Sequence, residues 1–353
     1  MFVCEQLPCT FVSSLCRINN LNMMSINLYN DIIKTIQNNN IRDCQEVLEG
    51  KYPTVPFMTL GSLLSNYVQR RMKATHSKHN TPENIDLYYK RFQQAVAARE
   101  ESGIILRLSD EIGITPVLTA RFILEGYLRQ LQAQYDKQQN EVGSAGEAEQ
   151  VADAMGDFHK KKIFYNFGNM RTEITRLLRN SNLIEDQHVA YEVYLCLVHD
   201  NHYGPCPDII KRTVGSEYEM ILMKQLDEKK ISYLDEKQLR LLGYDKTPDF
   251  KLDIPIGIEG RVVNWIESKA TFGDEVTHQT YLNEQLTCYF NRFGPGLVIY
   301  WLGHVETLES RTPKGIFISD HLPATITKMN PSLVVSFRLE SSSSPNSNSK
   351  SKS

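Results

Sequence analysis

At 353 residues, with 41% hydrophobic and 23% charged side chains, the chain can bury a sizeable core, and its length points to two domains or more. A formal net charge of -3 excludes a globally basic protein held to a polyanion by its average field, so any affinity for phosphate must come from local Lys/Arg patches. The seven cysteines (Cys4, Cys9, Cys16, Cys44, Cys196, Cys206, Cys288) are scattered, odd in number and never paired as C-x2-C, which fits reduced thiols, and no run reaches the roughly 20 apolar residues that cross a bilayer.

Residues 1–24 are expected to form a disordered extension: the stretch from Met1 to Cys16 is mildly apolar but lacks the basic start of a secretion signal. From Ile26 to about Gln130 the pattern is helical, with Leu28, Ile32, Ile33 and Ile36 recurring at three- and four-residue spacing. The basic run Arg70-Arg71-Met72-Lys73 is a candidate grip for nucleic-acid phosphates, or a solvated helix face. His76 and His79 lack a nearby Cys or carboxylate pair and read as polar loop residues rather than metal ligands. Between Leu106 and Leu128, Gly113 breaks one helix, Thr115 offers an N-cap and Pro116 opens the next helix. This describes a helix-turn-helix with Arg121 and Arg129 on its second helix, or an ordinary helical hairpin. Residues 131–162 turn to Gln, Glu, Gly, Ala and Lys and read as a linker.

Residues 163–337 are expected to form a second domain, followed by a disordered Ser-rich tail over 338–353. Helical patterns through Ile174–Leu178, Val189–Val198 and Glu217–Lys229 precede β-rich runs at Phe250–Ile254 and Arg261–Lys269, which should pair as a hairpin across Gly257 and Gly260. Gln279–Asn291 reads as a helix and Leu297–Trp301 as a strand buried on both faces. The order implies a mixed α/β sheet flanked by helices.

Side chains alternate along a strand, so Glu267 and Lys269 share a face that Ser268 does not. If Asp249, fixed behind Pro248, starts the neighbouring antiparallel strand on that face, two carboxylates converge on one divalent ion. Mg2+, or Mn2+, suits such hard oxygen ligands. Lys269 would then neutralise charge developing on a phosphate or position a water. Glu219, taken as lying near the start of the upstream helix, is the candidate third acid and metal ligand, with Glu217 in reserve; either could instead be a first-turn glutamate favoured by the helix dipole. Gln285 and Tyr289, four apart on one helix, are candidates for holding the water, a phosphate or nucleic acid. Asp274, His278 and Arg292 are further candidates for substrate contact, or ordinary polar surface residues.

The runs Gly243–Phe250, Trp265–Ala270, Phe272–Glu275 and Asn291–Trp301 closely resemble the codanin-interacting nuclease family, also called TPD-motif proteins, over about Met24 to Thr327. More distantly the chain is similar to archaeal Holliday junction resolvases within the PD-(D/E)XK nuclease superfamily. The resemblance implies helix-turn-helix DNA-binding units followed by a restriction-endonuclease-like α/β core. It assigns the triad to Asp249, Glu267 and Lys269, the helix acid to Glu219 and the Q-x3-Y element to Gln285 and Tyr289. It further implies a Mg2+-dependent endonuclease acting on DNA, codanin as partner, and a nuclear or nucleocytoplasmic protein. Resolvase-like chemistry on two strands suggests a homodimer. Two alternatives remain: a catalytically silent scaffold that binds nucleic acid and codanin, and an RNA-directed enzyme.

Overall fold

The structure, a computed structural model, describes residues 23–142, 165 and 167–330. Its residues fall into two compact units: a helical one, Asn27–Val214, and an α/β one made of residues 215–330 together with 23–26 at the chain start. No described helix is long and apolar enough to cross a membrane.

The helical unit contains α1 (Ile26–Gln37), α2 (Cys44–Lys51), α3 (Phe57–His79), α4 (Pro82–Ala97), α5 (Ile104–Ile112), α6 (Pro116–Val142), α7 (Met170–Arg179) and α8 (Gln187–His199), and α9 (Pro205–Glu228) begins in it. The turn between α5 and α6 forms as the spacing predicts, with Gly113 in the left-handed region at φ 68°. Its helices, however, do not present a free reading head. Val117, Thr119, Ala120, Phe122, Ile123, Leu124, Tyr127 and Leu128 are all buried, so α6 is the central helix of this unit. A recognition helix must expose a face to a groove; here α4, α5, α7 and α8 surround it. Arg129 is accordingly committed within the unit, to Glu125 at 2.5 Å and Asp86 at 3.9 Å, and Arg121 is half-buried. His79 bonds Tyr88 Oη at 2.7 Å and His76 packs on Phe122, both as structural side chains of α3 and its neighbours.

Two buried acids cap this arrangement. Glu192 of α8 accepts from Gly103 N (2.7 Å) and Ile105 N (3.1 Å) at the start of α5. Asp200 accepts from Val117 N at 2.9 Å, and from His202 N and Tyr203 N, each at 2.9 Å. Orphan N–H groups at helix starts need such partners when water is excluded.

The divisions expected from composition shift accordingly. Residues 131–142 continue α6 instead of opening a linker, because Gln, Lys and Tyr sustain a helix as readily as a loop; the remainder of the expected linker, like the expected tail, lies outside the described residues. The boundary between units falls inside α9, not near residue 163, so α7 and α8 belong to the helical unit. Of the expected extension, Met23–Met24 is a strand, β1, paired in parallel with β6 (His304–Val305), and Met24 is buried.

The α/β unit is built on a six-stranded mixed sheet. Its order is β2 (Tyr233–Asp235), β3 (Phe250–Ile258), β4 (Arg261–Lys269), β5 (Gly296–Tyr300), β7 (Ile316–Ser319), with β8 (Ile326–Lys328) also on β3. The hairpin β3–β4 is antiparallel, as its Gly-bounded turn predicts, whereas β4–β5 and β5–β7 are parallel. Leu222 and Leu226 of α9 join Phe250, Leu252, Ile266, Leu297 and Ile299 in one apolar core. Beyond β4 run α11 (Glu275–Tyr281), a π-helical turn over Leu282–Leu286 and α12 (Thr287–Phe293). This is the α/β core with flanking helices that the sequence predicts.

Candidate active site

Register decides where the acids lie. In the β3–β4 ladder Phe250 faces Ile266 and Lys251 faces Trp265, so the next position puts Asp249 opposite Glu267. Directly opposed residues of an antiparallel pair project to the same face. Asp249 N donates to Glu267 Oε2 at 3.3 Å and Asp249 Oδ2 accepts from Ser268 N at 2.7 Å. Two residues along β4, Lys269 Nζ donates to Glu267 Oε1 at 2.6 Å and to Gln285 Oε1 at 3.1 Å, and lies 4.6 Å from the centre of the Tyr281 ring.

Ser268 points the other way: its Oγ accepts from Trp301 Nε1 at 2.8 Å, and Trp301 stacks on Tyr218 of α9. On the site face, buried Trp265 donates through Nε1 to Gly294 O at 2.8 Å. A methyl group at Gly296 would come within 2.0 Å of the Trp265 ring, so only glycine lets β5 lie this close. The helical face is fixed by Asp274, which caps α11 by accepting from Val276 N and Thr277 N. His278 is buried and bonds Tyr300 Oη at 2.7 Å and Thr312 Oγ1 at 3.1 Å; burial pushes its pKa down to about 4. Asp274 and His278 are thus structural, not substrate contacts, because both are enclosed.

The loop leading to Asp249 is strapped to the same helical segment. Lys246 Nζ donates to Glu284 O at 2.7 Å, while Arg292 donates to Lys246 O (3.0 Å) and Asp245 Oδ1 (3.1 Å). Arg292 is therefore engaged in holding the loop. Together these groups border a cleft of about 340 Å³ lined by Asp249, Glu267, Lys269, Gln285 and Tyr289, with Glu236 and Arg240 on its rim. The two rim residues come from α10 (Glu236–Leu241), which starts in a capping box between Asp235 and Gln238.

Burial first, then the neighbouring Glu267 charge, raises the Asp249 carboxyl well above 3.8; the Ser268 N–H and Lys269 oppose this. Burial also raises Glu267, against the pull of Lys269. Burial alone would lower the Lys269 pKa, yet Glu267 and Asp249 together outweigh it and raise it, so the side chain is an ammonium. Glu219 is raised by burial and by repulsion from Glu236 and Glu267. Two acids against one ammonium leave excess negative charge in an enclosed place, a condition that a cation relieves. Among the described residues no three His, Cys, Asp or Glu are grouped to hold one ion. Asp249 and Glu267 therefore suit an ion that keeps waters and takes phosphate oxygens as further ligands, which is the habit of Mg2+.

Glu219 sits well inside the 24-residue α9, away from the first turn the sequence suggested; it does not line the cleft, and its charge adds to the rise of the Asp249 carboxyl. Glu217 raises the pKa of its neighbour Tyr218, second to burial. Tyr289 lines the cleft but is buried edge-on against Trp265 at 5.5 Å between ring centres, so it braces the floor and offers no open face for a base. Tyr281, Lys246 and Arg240 were missed by sequence reasoning; Tyr281 had the signal of lying one helical turn before Gln285.

An α/β sheet that brings a buried carboxylate, a half-buried one and an ammonium together where antiparallel and parallel pairing meet defines a carboxylate–lysine centre of the kind suited to phosphate chemistry. The family described as "Protein of unknown function TPD sequence-motif" matches residues 185–322. The chain is 39% identical over 285 residues to CDAN1-interacting nuclease 1 of Xenopus laevis (81% of this chain, 83% of the relative). It is 38% identical over 279 residues to that of Homo sapiens (79% and 88%) and 36% over 288 residues to that of Danio rerio (82% and 85%). It belongs to the CDAN1-interacting nuclease family. No solved structure matches it.

Proposed function

We propose that this chain is a metal-dependent endonuclease that hydrolyses phosphodiester bonds in DNA, branched or otherwise structured, with PD-(D/E)XK-type chemistry and with codanin as partner. The observation that carries the reading is the meeting of Asp249, Glu267 and Lys269 around one cleft, supported by Gln285. The relatives' shared printed name, a CDAN1-interacting nuclease, supports both the activity and the partner.

Asp249 and Glu267 would hold a Mg2+ or Mn2+ ion. Such an ion, when bound, polarises the scissile phosphate and lowers the pKa of water. Lys269 is kept as an ammonium, so it acts as a fixed positive donor toward the charge that grows on phosphate oxygens and not as a base. Gln285 and the Tyr281 ring hold that ammonium from the helical side, which keeps it in place before substrate arrives. Cutting both strands of a duplex needs two such centres, which a homodimer supplies. The family resemblance further implies a location in the nucleus and the cytoplasm.

The test is to incubate purified protein with labelled branched, flapped and linear DNA, and with the same panel in RNA, with and without Mg2+. Mg2+-dependent cleavage of DNA that disappears in Glu267→Ala and Lys269→Ala is the expected result. No cleavage of any substrate by the wild type sinks the reading and leaves a scaffold.

A further inference from the structure

Away from the cleft, the helical unit has a concave pocket of about 230 Å³, where the segment after α1 (residues 39–42) meets the α5–α6 turn and Arg71 of α3. Two guanidinium groups line it, and their circumstances differ. Arg42 is ion-paired with Asp110, which also accepts from Asn40 Nδ2 at 3.3 Å, yet Arg42 Nε is buried without a partner. Arg71 has no hydrogen-bond or ion-pair partner for its side chain among the described residues. Asp110 is the one acid lining the pocket, so one positive charge remains uncompensated inside a concavity.

The other polar groups there are mostly spoken for. Asn39 Nδ2 donates to Thr35 O at 2.7 Å and Ser109 Oγ to Leu106 O at 2.7 Å. The start of α6 contributes no N–H from Val117, which is taken by Asp200. The pocket's recognition capacity thus lies in the two guanidinium edges. Gly113 preserves it: a methyl group there would lie 2.5 Å from Arg71 Nη2 and push the guanidinium away.

A guanidinium presents paired N–H donors whose geometry matches a phosphate or carboxylate, and a second guanidinium lining the same concavity adds positive charge that favours the more highly charged phosphate. We propose that the Arg42–Arg71 pocket at the α5–α6 turn binds a phosphate group, namely a backbone phosphate of the nucleic acid on which the chain acts. That source rests on the nuclease reading; the phosphate chemistry does not. It relocates the nucleic-acid grip from the exposed face of a recognition helix, which α6 does not offer, to the turn in front of it.

The experiment uses the full chain in EDTA, with Arg71→Gln, Arg71→Lys and Gly113→Ala. Affinity for a labelled duplex is followed by anisotropy across a salt series, and the unfolding midpoint is followed with added inorganic phosphate. Arg71→Gln should weaken the duplex about tenfold, and the slope of log K against log [salt] should fall by about 1, as for one lost phosphate contact. Arg71→Lys should keep most of the slope, and Gly113→Ala should behave like Arg71→Gln while retaining its helical circular dichroism. Inorganic phosphate should raise the midpoint of the wild type and not of Arg71→Gln. If the phosphate effect depends on Arg71 but duplex affinity does not, the site takes a free phosphate and the nucleic-acid source is overturned. If neither responds to Arg71, the pocket proposal is overturned. A wild type that grips the duplex through Arg71 yet cuts nothing in Mg2+ removes the nuclease reading and keeps the pocket.

Discussion

Four buried or half-buried carboxylates, two in each unit, meet opposite ends. In the helical unit Glu192 and Asp200 spend their oxygens on backbone N–H groups at helix starts. In the α/β unit Asp249 and Glu267 face each other across a strand pair and share one ammonium. Burial is common to both pairs, so burial does not distinguish an acid that builds from one that reacts. The partner does: fixed amide dipoles leave an acid with nothing further to bind, whereas two mutually repelling acids keep an unmet demand for positive charge.

The sharpest way to break this contrast is to neutralise each kind of acid in turn. Glu267→Gln, and separately Lys269→Met, should lower cleavage by about 10³-fold or more in single-turnover assays, with DNA affinity retained, if charge at this centre stabilises the transition state. Glu192→Ala should leave the rate per folded molecule unchanged but cost about 2–4 kcal/mol in urea unfolding, since two N–H groups at the start of α5 lose their acceptors. A rate loss in Glu192→Ala, or none in Glu267→Gln, would erase the distinction. Arg292→Lys tests whether the loop strap sets the acid pair: the fork to Lys246 O and Asp245 is lost, and kcat should fall about tenfold with the fold's midpoint little changed.

The smallest effect concerns pH. Burial foremost, then Glu267, raises the Asp249 carboxyl above its ordinary value, so at a pH between the ordinary and the raised value, and with no cation bound, the folded chain holds a proton that the unfolded chain has released. Stability from this group is therefore highest below the ordinary carboxylate range and falls as pH rises toward the raised folded value. Asp249→Asn should raise the unfolding midpoint at neutral pH in EDTA, the gain vanishing below about pH 4. Mg2+ should raise the midpoint of the wild type more than that of Asp249→Asn.

Half of the polar triad was legible because period two puts Glu267 and Lys269 on one face whatever surrounds them. The turn at 259–260 taken alone would carry Asp249 opposite Ala270, and it is the irregularity between Lys251 and Ile256, which the sequence did not announce, that brings Asp249 opposite Glu267. Gln285 followed from its place on the next helix. Tyr289 was misjudged because an aromatic on a helix carries no mark of whether its face meets a groove or a buried Trp265. The reading of α6 failed for a similar reason: Arg121 and Arg129 looked like a polar face, but the flanking Ala, Leu and Phe are buried all round, and Arg129 found its acids locally. The unit boundary was invisible because it lies within α9, where no change of composition accompanies it.

The wide turn at Leu282–Leu286 has a consequence for how this segment tolerates change in length. A π turn amounts to one extra residue in an α-helix, and it occurs where Gln285 meets Lys269. Deleting a single codon there would restore a regular helix and swing everything on one side of the deletion by about 100°. Either Gln285 would leave the ammonium or Tyr289 would leave the indole. Descendants of this gene can therefore exchange many side chains along the segment, but shortening it by one letter of the protein alphabet would uncouple its two ends.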